Sequence, residues 1–216
     1  MKRVGYDSGL IGFLSKIADI ISLNVAFLIA CLPVITYGPA KVALYACTVK
    51  WTKKEDAGFL TFFREFKNNL RSSFLPGILM LLLTVILYLD FIFSFMGEGT
   101  KATRIITVIA ALLFFPYQEQ LFLFSARFEC RFVELLRNTL IVSLSNPIGG
   151  LITALLMAAP FLIWMALPAT FIQLTLVWLL GYFSVIAWVG AALMKKTHNK
   201  IIADHGQPSD DSDAEQ

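Results

Sequence analysis

The chain has 216 residues, of which 57% are hydrophobic and only 15% charged, with a net charge of +3 and a mean hydropathy of +0.72. A soluble domain carries about a quarter charged residues to wet its surface, so that class is excluded. The scattered basic residues leave no nucleic-acid footprint, and three cysteines with two histidines show no metal-ligand spacing.

In chain order, the first apolar segment runs from Leu10 to Leu32. Its "LIAC" (Leu28–Cys31) resembles a lipoprotein cleavage site, but Lys16, Asp19 and Asn24 interrupt the run, which also exceeds the usual length of about 7–15 residues. Asp19 lies one turn from Lys16, and an intrahelical pair accounts for both. The segment ends in "LPVITYGPA" (Leu32–Ala40), which places Pro33, Gly38 and Pro39 where a helix would otherwise continue. A proline inside a helix costs about 3 kcal/mol or more, whereas one at the first position of a new helix is favoured. The stretch therefore reads as a break between two helices, with Pro39 opening the second through "AKVALYACTVKW". Thr36, Tyr37 and the free amides before Pro39 form an irregular patch, which lipid tolerates only where protein or water covers it.

Lys41, Lys50, Lys53, Lys54, Arg64, Lys67 and Arg71 follow, and within this basic region Phe59, Phe62, Phe63, Phe66, Leu70 and Phe74 recur at helical spacing on one face. The second apolar segment is Phe74–Phe95, with Asp90 near its outer, wetted end, and Gly97 and Gly99 stop it. The third, Ile105–Ala126, contains the polar knot "PYQEQ" (Pro116–Gln120). Glu119, with Tyr117, Gln118 and Gln120, has the chemistry to coordinate a polar solute or carry a proton; the alternative is a pair with Arg127 at i+8. After Arg127, Arg131 and Arg137 come the fourth segment, Ile148–Leu167, and the fifth, Phe171–Met194, joined by "PAT" in a tight hairpin. A helix crosses the hydrocarbon core in about 20 residues, so each run is a candidate span. The glycines of "GIL" and "NPIGG" suit close helix packing. Residues 201–216 form an acidic tail expected to be disordered.

The basic residues gather between the first and second runs, between the third and fourth, and after the fifth, which places those regions and the C-terminus in the cytoplasm. Five spans then put the N-terminus outside, while Lys2, Arg3 and Lys16 favour the inside; a returning limb over Val34–Val49 would reconcile them, and the sidedness stays open. "FKNNLRSSF" (Phe66–Phe74) and "LRNTLIVSL" (Leu136–Leu144) match at an offset of 70 residues, with Asn68/Asn138, Leu70/Leu140 and Ser73/Ser143 identical. That suggests a parallel duplication of 59–126 as 129–196; two independent headgroup-level helices near anionic lipid are the alternative. The expected fold is all-α: one polytopic helical bundle over residues 1–200, with about five spans, a broken first helical region and two amphipathic interfacial helices.

"LNVAFLIACLPVITYGPAKVALY" (Leu23–Tyr45), "FFREFKNNL" (Phe62–Leu70), "SARFE" (Ser125–Glu129) and "LLRNTL" (Leu135–Leu140) stand in the order of a known pattern. In these blocks the chain resembles the bacterial YesL-like membrane protein family, whose biochemical function is not established. The resemblance implies a multi-span plasma-membrane protein of bacteria, of a kind often encoded beside carbohydrate-uptake transporters and glycan-degrading enzymes. It supplies no catalytic residues. No Walker loop, GxSxG or Asp/His cluster is present, so no enzyme, cofactor or metal is expected. Two functions follow as expectations: a non-enzymatic accessory component of carbohydrate uptake, or a small solute permease whose path is lined by the TYGPA break and the PYQEQ cluster. The candidate residues are Asn24, Pro33, Thr36, Gly38, Pro39, Tyr117, Glu119 and Arg127. The expected partners are the lipid bilayer and either transporter subunits or a second copy of the chain, with no nucleic acid.

Overall fold

In the computed structural model, which describes residues 9–128 and 130–204, the stretch Tyr37–Thr52 forms a helix, α2, whose residues from Gly38 to Val49 are all buried. Its sequence explains the position. Gly38, Ala40, Ala43, Ala46 and Cys47 present little bulk, so neighbouring backbones approach it closely from several sides. Before it come α1 (Gly9–Ala30) and a short 3₁₀ turn (Val34–Thr36). After it come α3 (Phe59–Met96), α4 (Lys101–Arg127), α5 (Phe132–Ser145), α6 (Pro147–Ala166), α7 (Pro168–Gln173), the single turn α8 (Thr175–Val177), a π-helical turn (Trp178–Tyr182) and α9 (Phe183–Asp204). There is no strand among the described residues. α3 packs on α4, α4 on α6, α6 on α9, α9 on α1 and α1 on α3, which closes a ring with α2 inside against α3, α4 and α9.

The break after α1 is held by Thr36, whose hydroxyl reaches the carbonyls of Ala30 and Pro33, each at 2.6 Å. Pro39 is the third residue of α2, within the first turn, where the missing N–H removes no intrahelical bond. The chain then runs back along the first half of α3. Gly38 meets Gly77 there so closely that a Cβ on Gly77 would lie 2.6 Å from the Gly38 Cα. The "GIL" glycine is thus a crossing point, and the "NPIGG" glycines act likewise: Gly149 abuts Met194, and Gly150 abuts Pro116 and Gln120.

Several expected boundaries move. The amphipathic stretch from Phe59 and the second apolar segment are one continuous 38-residue helix that passes through Pro76. The second amphipathic stretch and the fourth apolar segment are instead divided, because Asn146 ends α5 and caps α6 by accepting from the Gly149 N–H at 3.1 Å. The fifth segment is not a single helix from Phe171: Pro168 opens the short α7, and the chain passes through α8 and the π-helical turn before α9 begins at Phe183. α9 then continues through Ile201, Ile202 and Ala203 to Asp204, so the acidic tail does not begin at 201, and 205–216 lie outside the described residues, as do 1–8.

Four stretches among the described residues are long and apolar enough to cross a membrane: Phe59–Met96, Lys101–Arg127, Pro147–Ala166 and Thr175–Lys195. They point to a membrane protein. Leu82, Ile86, Leu89 and Phe93 on α3, and Ile105, Ile109, Leu112 and Leu113 on α4, are exposed. A contiguous apolar surface of this kind suits lipid and not water. Where α3 turns into α4, the polar contacts face inward: Thr107 donates to Asp90 at 2.6 Å and lies 3.0 Å from the Ser94 hydroxyl. Asp90 is therefore tied to the hairpin, not merely wetted.

At the Gly38–Gly77 crossing both near atoms are backbone, so nothing flexible can yield. Gly77→Ala is expected to destabilise the bundle by about 1–3 kcal/mol, read as a lowered melting temperature of the purified protein in detergent micelles. An unchanged melting temperature would show that α2 and α3 do not cross there.

Candidate functional site

Charged side chains are costly at membrane depth, and α2 carries a single lysine across its buried length. Lys41 is 3% exposed, and its ammonium meets Oε1 of Glu119, itself 6% exposed, in a buried ion pair. The second carboxylate oxygen, Oε2, accepts from the Tyr45 hydroxyl at 2.5 Å. Lys41 also donates to the Tyr37 hydroxyl at 2.9 Å. Its ammonium stands 5.3 Å and 5.4 Å from the ring centres of Tyr37 and Phe122, within cation–π range. Both charges thus have an opposite charge and polar neighbours, without which a buried ion is strongly disfavoured.

The local reason is helical spacing. Tyr37, Lys41 and Tyr45 are four residues apart, so they share one face of α2. In PYQEQ, successive residues are turned by ~100°, which sends the cluster in different directions. Gln118 and Glu119 line a cavity of about 460 Å³, together with Tyr37, Lys41 and Thr84. Tyr117 faces elsewhere, with its hydroxyl donating to the Leu136 carbonyl of α5 at 3.0 Å. Gln120 packs beside Gly150 and donates to the Met194 sulfur at 3.2 Å. Most of the cavity wall is apolar, including Phe27, Leu28, Phe115, Met157 and Phe183, with Cys31 and Val34 at the break completing it. A largely apolar pocket with a few convergent polar groups is the usual form of a small-molecule site.

The other expected residues fall outside the wall. Asn24 is fully buried and ties α1 to the π-helical turn: its amide donates to the Trp178 and Leu179 carbonyls at 2.9 and 2.7 Å, and its Oδ1 accepts from the Ser184 N–H at 3.2 Å. A π turn displaces backbone groups from their usual partners, and Asn24 supplies replacements. Pro33, Thr36, Gly38 and Pro39 shape the break and the crossing. Arg127 is the last residue of α4, ~12 Å along the helix axis from Glu119. The charge partner of Glu119 is Lys41, so the i+8 pairing is replaced, and Lys41 is not one of the wetted basic residues. The signal that finds Lys41 is the isolated lysine flanked by tyrosines at i−4 and i+4.

Residues 20–91 match the model of a family described as a protein of unknown function, DUF624. No curated protein and no solved structure matches the chain. The DUF624 match covers the second half of α1, the break, α2 and most of α3, so it includes Tyr37, Lys41, Tyr45 and the Gly38–Gly77 crossing. Glu119 lies beyond it.

Removing one partner of a buried pair leaves the other charge stranded. Lys41→Met is expected to cost about 3–5 kcal/mol, and Lys41→Met combined with Glu119→Gln to recover most of that loss. Thermal melts of the wild-type, single and double variants measure this coupling. Equal, additive losses would mean that the two residues do not pair.

Proposed function

We propose that the chain is a small, non-enzymatic solute permease whose solute occupies the cavity beside the Lys41–Glu119 pair. The reading rests on one observation: the two motifs that stand out in the sequence meet at a single cavity, with Tyr37 and Lys41 from the break side and Gln118 and Glu119 from PYQEQ. Its volume of about 460 Å³ is suited to a small molecule. In the same proposal α1 is a fifth crossing, the membrane is the bacterial plasma membrane, the C-terminus is cytoplasmic, and the chain is YesL-like. α5 and the first half of α3 are then amphipathic helices at the cytoplasmic headgroup level.

The accessory reading, in which the chain assists carbohydrate uptake by contact with transporter subunits, has its own support in α5. That helix, preceded by Arg131 and carrying Arg137, buries Leu135, Thr139 and Val142 and leaves Val133, Leu140, Ile141 and Leu144 exposed. Lipid or a partner subunit can cover such a face. Stable co-purification of transporter subunits would favour this reading.

Ala158 on α6 lines the cavity, and a large side chain there would fill it. A bound solute stabilises the folded state, by about 2.7 kcal/mol at a hundred times its Kd. A melting-temperature screen of small solutes is therefore expected to give hits on the wild-type protein that vanish in Ala158→Trp, and labelled hits should enter proteoliposomes of the wild type alone. Hits that bind but do not enter would make the chain a binding protein and not a permease.

Orientation has a native reporter in Cys130, between α4 and α5. Burial pushes its thiol above the usual range, the nearby Glu134 carboxylate adds to that, and a hydrogen bond with Asn138 opposes it. A raised thiol carries less thiolate at neutral pH, so maleimide labelling in a Cys31→Ser/Cys47→Ser background should be slow at pH 7 and rise roughly tenfold per pH unit. A membrane-impermeant maleimide should label inside-out vesicles and spare right-side-out ones. The reverse pattern would invert the topology.

A further inference from the structure

The polar atoms on the cavity wall are mostly donors. Lys41 has three ammonium hydrogens and gives one to Tyr37 and one to Glu119; among the described residues no acceptor takes the third. The Tyr37 hydroxyl accepts from Lys41, and its own hydrogen goes to no described residue. The Gln118 amide lies 3.4 Å from the Thr84 hydroxyl, whose hydrogen goes to the Met80 carbonyl at 2.8 Å, so Gln118 keeps at least one amide hydrogen that goes to no described residue. All three side chains line the cavity. The one carboxylate there, Glu119, already has Lys41 on one oxygen and Tyr45 on the other. A ligand that completes this wall brings acceptor oxygens at one end and an apolar body for the remainder.

Charge narrows the class further. Lys41 and Glu119 together are neutral, so an entering anion would leave one uncompensated negative charge in a half-open, mostly apolar cavity. The ionisable groups around Glu119 are Lys41, Tyr37 and Tyr45 from α2 and Cys31 from the end of α1. The residues that α3, α6 and α9 contribute to the wall carry no ionisable group. No further cation is at hand on the wall, and the group able to restore neutrality is Glu119 itself, by accepting a proton.

We propose that the cavity takes a monocarboxylate with an apolar body together with one proton. This rests on the cavity being the solute site. The ligand carboxylate accepts hydrogen bonds from Lys41, Tyr37 and Gln118. Lys41 exchanges its contact with Glu119 Oε1 for the ligand, and a proton entering from bulk water bonds to that oxygen, while Tyr45 stays on Oε2. One negative and one positive charge enter together, so the cavity remains neutral before and after.

The test uses the purified full chain in lipid nanodiscs. Straight-chain and phenyl-terminated carboxylates from acetate to decanoate, and their primary amides, are titrated calorimetrically in two buffers of different ionisation enthalpy. The expected result is that at least one acid binds about tenfold or more tighter than its amide, with close to one proton taken up per ligand. The Lys41→Met/Glu119→Gln double variant has neither the cation nor the proton acceptor, so it should keep amide binding and lose the acid preference, the acid binding more weakly than its amide. Acid binding without proton uptake, or an acid preference that survives in the double variant, overturns the coupling. Amides that bind as tightly as acids overturn the carboxylate class and leave the cavity as a solute site. Binding of neither series overturns the cavity reading and this proposal with it.

Discussion

The fold depends on one lysine and one glutamate that are both removed from water. Neither can be buried alone at tolerable cost, so Lys41 fixes where α2 lies against α4, and Glu119 fixes the rotation of α4 toward α2. Tyr37 and Tyr45 are carried to the pair by helical spacing alone. Once α2 is pinned, its small residues allow α3 and α9 to close around it, and the Gly38–Gly77 contact sets how deeply it sits. The pair thus sets the register of the central helix, and it also borders the cavity.

Two irregular backbone regions meet around that cavity, and each has its own hydrogen-bonding solution. At the break after α1 the Thr36 hydroxyl reaches the Ala30 carbonyl, while the Thr36 N–H closes the 3₁₀ turn on the Pro33 carbonyl. The π-helical turn before α9 leaves carbonyls without helical partners, and Asn24 answers those from α1. Irregular backbone inside an apolar bundle persists only where such partners exist. In return it places Cys31, Val34 and Phe183 on the wall, positions that straight helices would not give them.

Much of the fold was legible because it rests on local chemistry. Apolar runs long enough to span, the Pro33 and Gly38–Pro39 break, and glycines suited to close packing are all properties of neighbouring residues. The ends of elements were less legible. α3 runs from the amphipathic stretch into the apolar segment through Pro76 without a break, whereas the Asn146–Pro147 pair seventy residues later does divide two helices, because Asn146 also provides a cap. The site was half legible: Glu119 announces itself as an ionisable residue in an apolar run, but its partner lies 78 positions away. Lys41 resembled the basic residues that follow it, and only burial distinguishes them. Tyr117 and Gln120 looked equivalent to Gln118 in sequence, and helical rotation separates them.

Lipid adds a further constraint. Because acyl chains are as apolar as leucine, exposed apolar faces say little about which helix should touch which. The specificity must come from small residues and from polar contacts between helices: Asp90 with Thr107, Tyr117 with Leu136, Tyr182 with Leu156, and Asn146 with Thr197. A buried polar residue in this chain is therefore no pointer to function by itself, since assembling the bundle already requires a set of them. What separates Lys41, Glu119, Tyr37 and Gln118 from that set is position: they join helices and also border open volume. Donors left over at such a boundary have no assembly role to fill, and that surplus gives the cavity a chemical preference.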